Sequence, residues 1–463
     1  MSSTSTPTTL FNKARDIPHP QKRAWYMSRL FRAPHREFSN SRLRTKRLRS
    51  AWQLLCREGP SSIAKIALSR LVLPRIGRAT HPALTRQVRR MLGEAGGKPP
   101  IVVASTVDYA FPYRQRPQHL ALAFARLGHP VFYLSPRSGH DQFLSFGSPA
   151  PRLCVTDADD MLQHLLDERP ILLLMSIDNR VDTNLVARAK SWTPRLIYDY
   201  IDHIDPAISL IDIPPGHLEA HAALLRDESV LVVASAQVLY DEVAPLRNRG
   251  LVLAQNAVDV AHFQAHRSTS ALVPEMAEVV GRGRPVLGYF GALASWFDYD
   301  LVHAVASARP DVSVVLIGPD YDGSLREWRH RAGEMPANLV LVPPVSYDRL
   351  PVQAAWFDAA MVPFLVNDLT VATSPLKLYE YFALGLPVVS TPLPECIRHQ
   401  PATLIANDVS GFAAAVDRAL ALRGDPTHRA LLAREAAEND WRRRAGTILT
   451  ALQDVDSGQK ATQ

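Results

Sequence analysis

Residues 374–391, Ser-Pro-Leu-Lys-Leu-Tyr-Glu-Tyr-Phe-Ala-Leu-Gly-Leu-Pro-Val-Val-Ser-Thr, have the types and spacing of an anion-binding helix running directly into a buried strand. Ser374 reads as the cap of the first free backbone N–H groups, and Pro375 suits the first helical position because it has no N–H to strand there. Lys377 then falls in the first turn, where the positive end of the helix dipole disfavours a cation unless an anion binds. Glu380 follows one turn later on the same face, roughly 9 Å along the axis from the cap at 1.5 Å per residue. That offset fits a ribose beside a diphosphate. Without a ligand, the same two residues read as an ordinary exposed pair worth little.

Three further constellations bear on chemistry. Tyr198-Asp199-Tyr200-Ile201-Asp202-His203 ends a strand-like run, and period two sends Tyr198, Tyr200 and Asp202 to one face and Asp199 to the other. Asp202 or His203 is placed to orient or deprotonate a hydroxyl, since a general base needs hydrogen-bond reach and a pKa near neutrality; a capping aspartate is the plainer alternative. Arg114-Gln115-Arg116-Pro117-Gln118-His119 opens a helix expected to end at Leu127-Gly128-His129, and Arg116 at its start calls for a nearby anion or for solvent. Asp298-Tyr299-Asp300 has the spacing of a metal-binding carboxylate pair but opens a helix, where Asp is a strong cap, so no catalytic metal is expected.

Segment 374–391 resembles the donor-site element of retaining glycosyltransferases of the GT-B fold, the family 4 type. There one glutamate precedes a second by eight residues, and an Ala-x-Gly-x-Pro-Val stretch follows. Glu380, Ala383, Gly385, Pro387, Val388, Val389, Ser390 and Thr391 match; the first glutamate falls at Ala372 and is absent. The resemblance implies that Glu380 holds the nucleotide ribose, and it leaves the place beside the transferred sugar without its carboxylate. It also implies that the turn at Gly288-Tyr289-Phe290-Gly291 approaches the diphosphate, as glycine permits, although the Arg and Lys that often follow are missing from Ala292-Leu293-Ala294-Ser295-Trp296-Phe297-Asp298. The implied donor set is Gly291, Thr373, Ser374, Leu376, Lys377 and Glu380, aided by the 374–376 amides and by Arg116 from the opposite domain.

Asn256-Ala257-Val258-Asp259 with Phe263 is similar to the turn that closes the first domain in these enzymes, with Ala257 in place of its glycine, and reads as structural. The layout from Arg116-Pro117-Gln118-His119 to Leu127-Gly128-His129 looks like a subgroup of bacterial polysaccharide and teichuronic-type transferases. That puts Arg114 and His119 on the acceptor side, and Asp202, His203 and Arg116 at the reacting centre. The implied reaction moves a hexosyl group from a nucleotide-diphosphate donor to a lipid-linked or polysaccharide acceptor with retention, without cofactor or metal, the leaving diphosphate acting as base. Two rivals stay open: a nucleotide-sugar epimerase of the same fold, and a degenerate nucleotide-sugar binder without turnover.

These residues sit on an α/β pattern of strand-like runs separated by helical stretches, at 100–105, 131–135, 171–177, 196–200, 230–235 and 251–255, then 286–290, 312–317, 339–342, 360–364, 387–390 and 403–405. With 463 residues, too many for one core, the expectation is a GT-B pair of facing Rossmann-like, doubly wound parallel sheets with a cleft between them. The acceptor domain would span 98–268, a linker 269–285, and the donor domain with a C-terminal helix 286–463. Residues 1–97 form a basic, partly helical extension.

Charge is divided between these parts: residues 1–100 hold 21 Lys and Arg against 4 Asp and Glu, the remainder 31 against 41. Such an arm suits an anionic lipid surface, at about 1 kcal/mol per cation, with Trp52, Leu54, Leu55, Ile63, Ile66 and Leu71 as an interfacial apolar face interrupted at Gly59-Pro60. Packing on the acidic body is the alternative, and no nucleic-acid partner is expected. Three scattered cysteines and no apolar run near membrane-spanning length place the expectation in the cytoplasm, peripheral on the inner face of the membrane.

Overall fold

The computed structural model describes residues 81–460 apart from 144, 159–163, 166, 179, 206–212 and 265–270, so the apolar face expected between Trp52 and Leu71 lies outside the described residues. From Ile101 the apolar runs bury on both faces, as parallel strands sandwiched by helices must. β1 (Ile101–Ala104), β2 (Val131–Leu134), β3 (Gly147–Ala150), β4 (Leu153–Thr156), β5 (Ile171–Met175), β6 (Leu196–Tyr200), β7 (Leu231–Ala234) and β8 (Leu251–Leu253) form one sheet in the order β3-β4-β2-β1-β5-β6-β7-β8. The expected all-parallel sheet is corrected at its edge, where β3 runs antiparallel to β4. Gly147-Ser148-Pro149-Ala150 gives no strand signal, and its proline is tolerated because an edge strand leaves one row of N–H groups unpaired.

The second sheet is wholly parallel: β9 (Val286–Phe290), β10 (Ser313–Ile317), β11 (Leu339–Val342), β12 (Ala359–Val362), β13 (Val388–Ser390) and β14 (Thr403–Ile405), ordered β11-β10-β9-β12-β13-β14. In both sheets the strand order reverses beside the first strand, at β1/β5 and at β9/β12. Open α/β sheets bind ligands outside the carboxyl ends of strands at such switch points.

Several expected boundaries move. Within the supposed linker 269–285 the helix Pro274–Gly281 sends Met276 and Val279 into the second core; eight residues are too few for its period to stand out. The C-terminal helix Trp441–Lys460 packs on the first domain instead of the second. Its Trp441, Ala445, Ile448, Leu452 and Val455 recur every three or four residues and join the core of Ile101, Leu120, Phe124 and Ile171. Likewise the helix His81–Gly93, inside the expected extension, buries Leu84, Val88 and Met91 in the first domain.

The chain therefore crosses between domains twice, and the crossings bond to each other. Val258 N–H donates to Asn439 O at 2.9 Å, and Trp441 N–H donates to Val258 O at 3.1 Å. Ala257 packs in a first-domain core and Val258 and Phe263 in the second, so the 256–263 turn has the joining role expected of it.

Candidate active site

On the second-domain side, Lys377 lies over bare backbone. Gly291 sits at φ 136°, and a Cβ there would come 2.9 Å from Lys377 Cε; a Cβ on Gly318 would come 1.8 Å from Gly291 O. Only glycines let the turns after β9 and β10 close this tightly under a lysine. The Lys377 ammonium is 4.7 Å from the Phe364 ring centroid and 5.3 Å from that of Tyr289, a cation–π bed that steadies it without neutralising it. Glu380 is buried one turn further on. Neither side chain has a hydrogen-bond or ion-pair partner among the described residues.

The exposed-pair alternative is therefore corrected: both charges are withdrawn from bulk water, and they are not joined. Burial pulls the Lys377 ammonium down to about 8, with Glu380 holding it up. Burial likewise pushes the Glu380 carboxyl up to about 7, with Lys377 pulling it back. An anion arriving at Lys377 would raise its pKa again and hold it more firmly in the charged form.

The start of the helix Leu376–Ala383 also departs from expectation. Pro375 is its N-cap, and no side chain caps it. Ser374 turns away, its Oγ accepting from Asn256 N–H at 3.2 Å and its carbonyl from Asn256 Nδ2 at 2.6 Å. The amides left without acceptors among the described residues are those of Leu376 and Lys377, because Leu378 N–H already donates to Pro375 O; Pro375 has no N–H and Ser374 is a seam contact. Thr373 gives its hydroxyl to Leu369 O at 2.9 Å, and the Leu376 side chain packs against a first-domain core. Asp298 caps its helix, accepting from Leu301 N–H at 2.9 Å, while Asp300 takes Trp328 Nε1 at 2.7 Å.

The first-domain side differs most from expectation at Arg116. Its Nε donates to both oxygens of Asp199, at 3.0 and 2.8 Å, and its Nη2 to Oδ1 at 2.9 Å, with both residues buried. A guanidinium satisfied in this two-pronged way inside the domain has no fork left for phosphate, so the expected catalytic role of Arg116 is withdrawn. His119 is also buried, stacked on Trp441 at 5.1 Å and edge-on to Tyr347 at 5.5 Å. Burial lowers its pKa to about 3, so it is a neutral wedge in the domain seam and not the acceptor-side group expected. Arg114 lies with its guanidinium 5.1 Å from the Tyr347 ring centroid and 5.9 Å from that of Tyr109, half-buried across the seam.

His203 is held by Glu242 at 3.2 Å, the carboxylate that also accepts from Tyr200 OH at 2.9 Å. Asp202 has no hydrogen-bond partner among the described residues. Burial pushes its carboxyl up to about 6, with Arg116 pulling back and Asp199 pushing further. Asp202 stands two residues past the carboxyl end of β6, partly exposed, and its charge adds to the burial and the Asp322 charge that raise the pKa of Tyr321 in the opposite domain. Sequence reasoning missed Tyr321, Tyr347, Phe364 and the cross-domain bonds of Asn256. All follow strand ends, which was the available signal, but which of them turn toward the cleft is a tertiary matter.

Two doubly wound α/β domains joined at a double crossing, with their switch points facing each other, define the GT-B fold of glycosyltransferases. Solved structures of that kind superpose over most of the chain. Anabaena HepE in complex with UDP-glucose matches with TM-score 0.50 at 14% identity, covering 78% of this chain and 99% of its own. A glycosyltransferase from Rickettsia africae matches with TM-score 0.53 at 12% identity, covering 77% and 98%.

Residues 284–421 match the family described as Glycosyl transferases group 1. A sequence relative, the putative teichuronic acid biosynthesis glycosyltransferase TuaH of Bacillus subtilis, is 27% identical over 221 residues, 45% of this chain and 53% of its own. The chain thus spans about half the length of that relative.

Proposed function

We propose that the protein is a glycosyltransferase that takes a sugar from a nucleotide-diphosphate donor. The observation that carries this is the Gly291, Lys377 and Glu380 cluster: a half-buried cation and a buried carboxyl left unjoined, beside two free helix amides at a switch point. A diphosphate satisfies Lys377 and the Leu376 and Lys377 amides together, and a ribose hydroxyl pair satisfies Glu380. The HepE complex with UDP-glucose and the family match over 284–421 support a nucleotide-sugar donor. The TuaH relative supports a cell-surface polysaccharide as the destination.

Of the groups expected at the reacting centre, Asp202 keeps that reading. It is partly exposed just past the carboxyl end of β6, with a pKa raised to about 6, suited to orienting or deprotonating an acceptor hydroxyl. We extend the reading to a retained anomeric configuration, no metal, a lipid-linked or glycan acceptor, and a cytoplasmic protein held on an anionic membrane by its basic arm.

A donor panel read by thermal shift tests the first step, since a ligand at 100 times its Kd stabilises by about 2.7 kcal/mol; transfer to a glycan acceptor tests the second. The second reading, a binder without turnover, is favoured by Ala372, which is 1% exposed where the related motif has a glutamate. Donor stabilisation without transfer or hydrolysis selects it. Donor conversion without an acceptor selects an epimerase.

A further inference from the structure

The helix that begins the donor site is tied to the opposite domain by buried side chains that the reaction itself does not use. Asp199 and Arg116 hold each other rigidly inside the first domain, and the remaining Arg116 Nη1 donates to Asn256 Oδ1 at 3.2 Å. That contact assigns the Asn256 amide, oxygen toward Arg116 and nitrogen toward Ser374. The nitrogen donates to Ser374 O at 2.6 Å while the Asn256 backbone N–H donates to Ser374 Oγ at 3.2 Å, so two bonds from one residue grip Ser374.

Ser374 immediately precedes Pro375, the N-cap of the helix whose first amides, those of Leu376 and Lys377, have no acceptor among the described residues. The grip is braced on the far side by Tyr379, whose hydroxyl lies 3.2 Å from Ser374 Oγ and donates to Glu395 at 2.5 Å. Arg116, Asp199, Asn256, Ser374, Tyr379 and Glu395 are all buried. A satisfied buried polar chain of this kind has few alternative arrangements.

We propose that Asn256 is a positioning residue for the donor diphosphate: it carries the fixed orientation of the Arg116–Asp199 pair across the domain seam to Ser374, and so sets where the helix amides and Lys377 stand in the cleft. The proposal rests on the donor reading above. It predicts a division within the ligand, because the diphosphate meets the helix start whereas the nucleoside meets Glu380 and the second-domain loops.

The test is calorimetry on the full chain with whichever of UDP, GDP and ADP the wild type binds, and with the matching nucleoside. Asn256→Asp keeps the shape and the acceptor for Arg116 but sets a carboxylate oxygen against the Ser374 carbonyl. Diphosphate affinity should fall about tenfold, the worth of one hydrogen bond, with nucleoside affinity unchanged. Arg116→Lys keeps a cation on Asp199 but lacks the fork that also reaches Asn256, and should give the same division at smaller amplitude; this variant decides the matter alone if Asn256→Asp does not fold. Equal losses for both ligands, or none, overturn the proposal while leaving the donor reading intact. A wild type that binds no nucleoside diphosphate overturns both.

Discussion

Lys377 and Arg116 hold matching stations on opposite sides of the cleft, each in the first turn of a helix that starts toward the other domain, and their surroundings differ completely. Arg116 is buried against Asp199 in a two-pronged ion pair at 2.8–3.0 Å. Lys377 lies over Gly291 between aromatic rings, with no ion-pair partner among the described residues. Both positions are disfavoured by the helix dipole. In the first domain the chain supplies the compensating anion from its own β6; in the second no ion-pair partner meets the cation among the described residues, as the donor reading requires. A basic residue at a helix start thus signals an anion, and the source of that anion separates a structural site from a binding one.

The largest expected effect breaks the structural half. Asp199→Asn strands the buried Arg116 guanidinium, and breaking such a pair costs about 3–5 kcal/mol; urea unfolding should show the loss as a lower midpoint at unchanged slope. Lys377→Met breaks no hydrogen-bonded pair, and Glu380, left without the nearby cation, can answer by keeping its proton, so folding stability should change little while nucleoside diphosphate affinity falls by about 1.5–3 kcal/mol, the worth of a hydrogen bond to a charged group. Comparable losses of stability in the two variants would erase the contrast.

Glu380→Gln sharpens the binding half. Nucleotide affinity should fall by roughly 1.5–3 kcal/mol with the fold intact, and unchanged affinity by calorimetry removes Glu380 from the site. The same variant has a pH signature. The folded carboxyl holds its proton up to about 7, against 4.5 for an ordinary glutamate. Between those values the native carboxyl binds more protons than the unfolded one, so the Glu380 contribution to the unfolding free energy declines as pH rises, against the rise contributed by His119 and His221, which burial keeps neutral. Glu380→Gln should flatten that decline. An identical profile in both proteins would show that the Glu380 carboxyl is not held protonated by burial.

The smallest effect concerns the cap at Asp298, which donor chemistry does not touch. Asp298→Ala should cost about 1 kcal/mol of stability and leave donor affinity unchanged. Turnover should also survive EDTA; activity lost to the chelator and restored by Mn²⁺ or Mg²⁺ would falsify the metal-free reading.

Most strands are legible because their apolar runs are continuous and bounded by turn residues: β6, β9, β11 and β14 begin and end where the pattern says they should. Strand β3 is not, since Gly147-Ser148-Pro149-Ala150 pairs only because a neighbouring edge is available. Asp298 reads correctly as a cap because capping involves only the next few residues. Ser374 reads as a cap by the same local logic, and the inference fails because Asn256, 118 residues away, claims its hydroxyl and carbonyl.

The sequence by itself determined two α/β halves, the turn that joins them, and the Lys377 and Glu380 spacing on one helical face, since these depend on side-chain periodicity and on neighbours within a turn or two. Tertiary structure alone decided which charges are spent and which are left over. Arg116 meets Asp199 across 83 residues and Arg114 reaches Tyr347 from the opposite domain. The C-terminal helix returns to the first domain to stack Trp441 on His119. Burial and pairing set the chemistry of an ionisable group, and both are made by parts of the chain that meet only when the two sheets face each other.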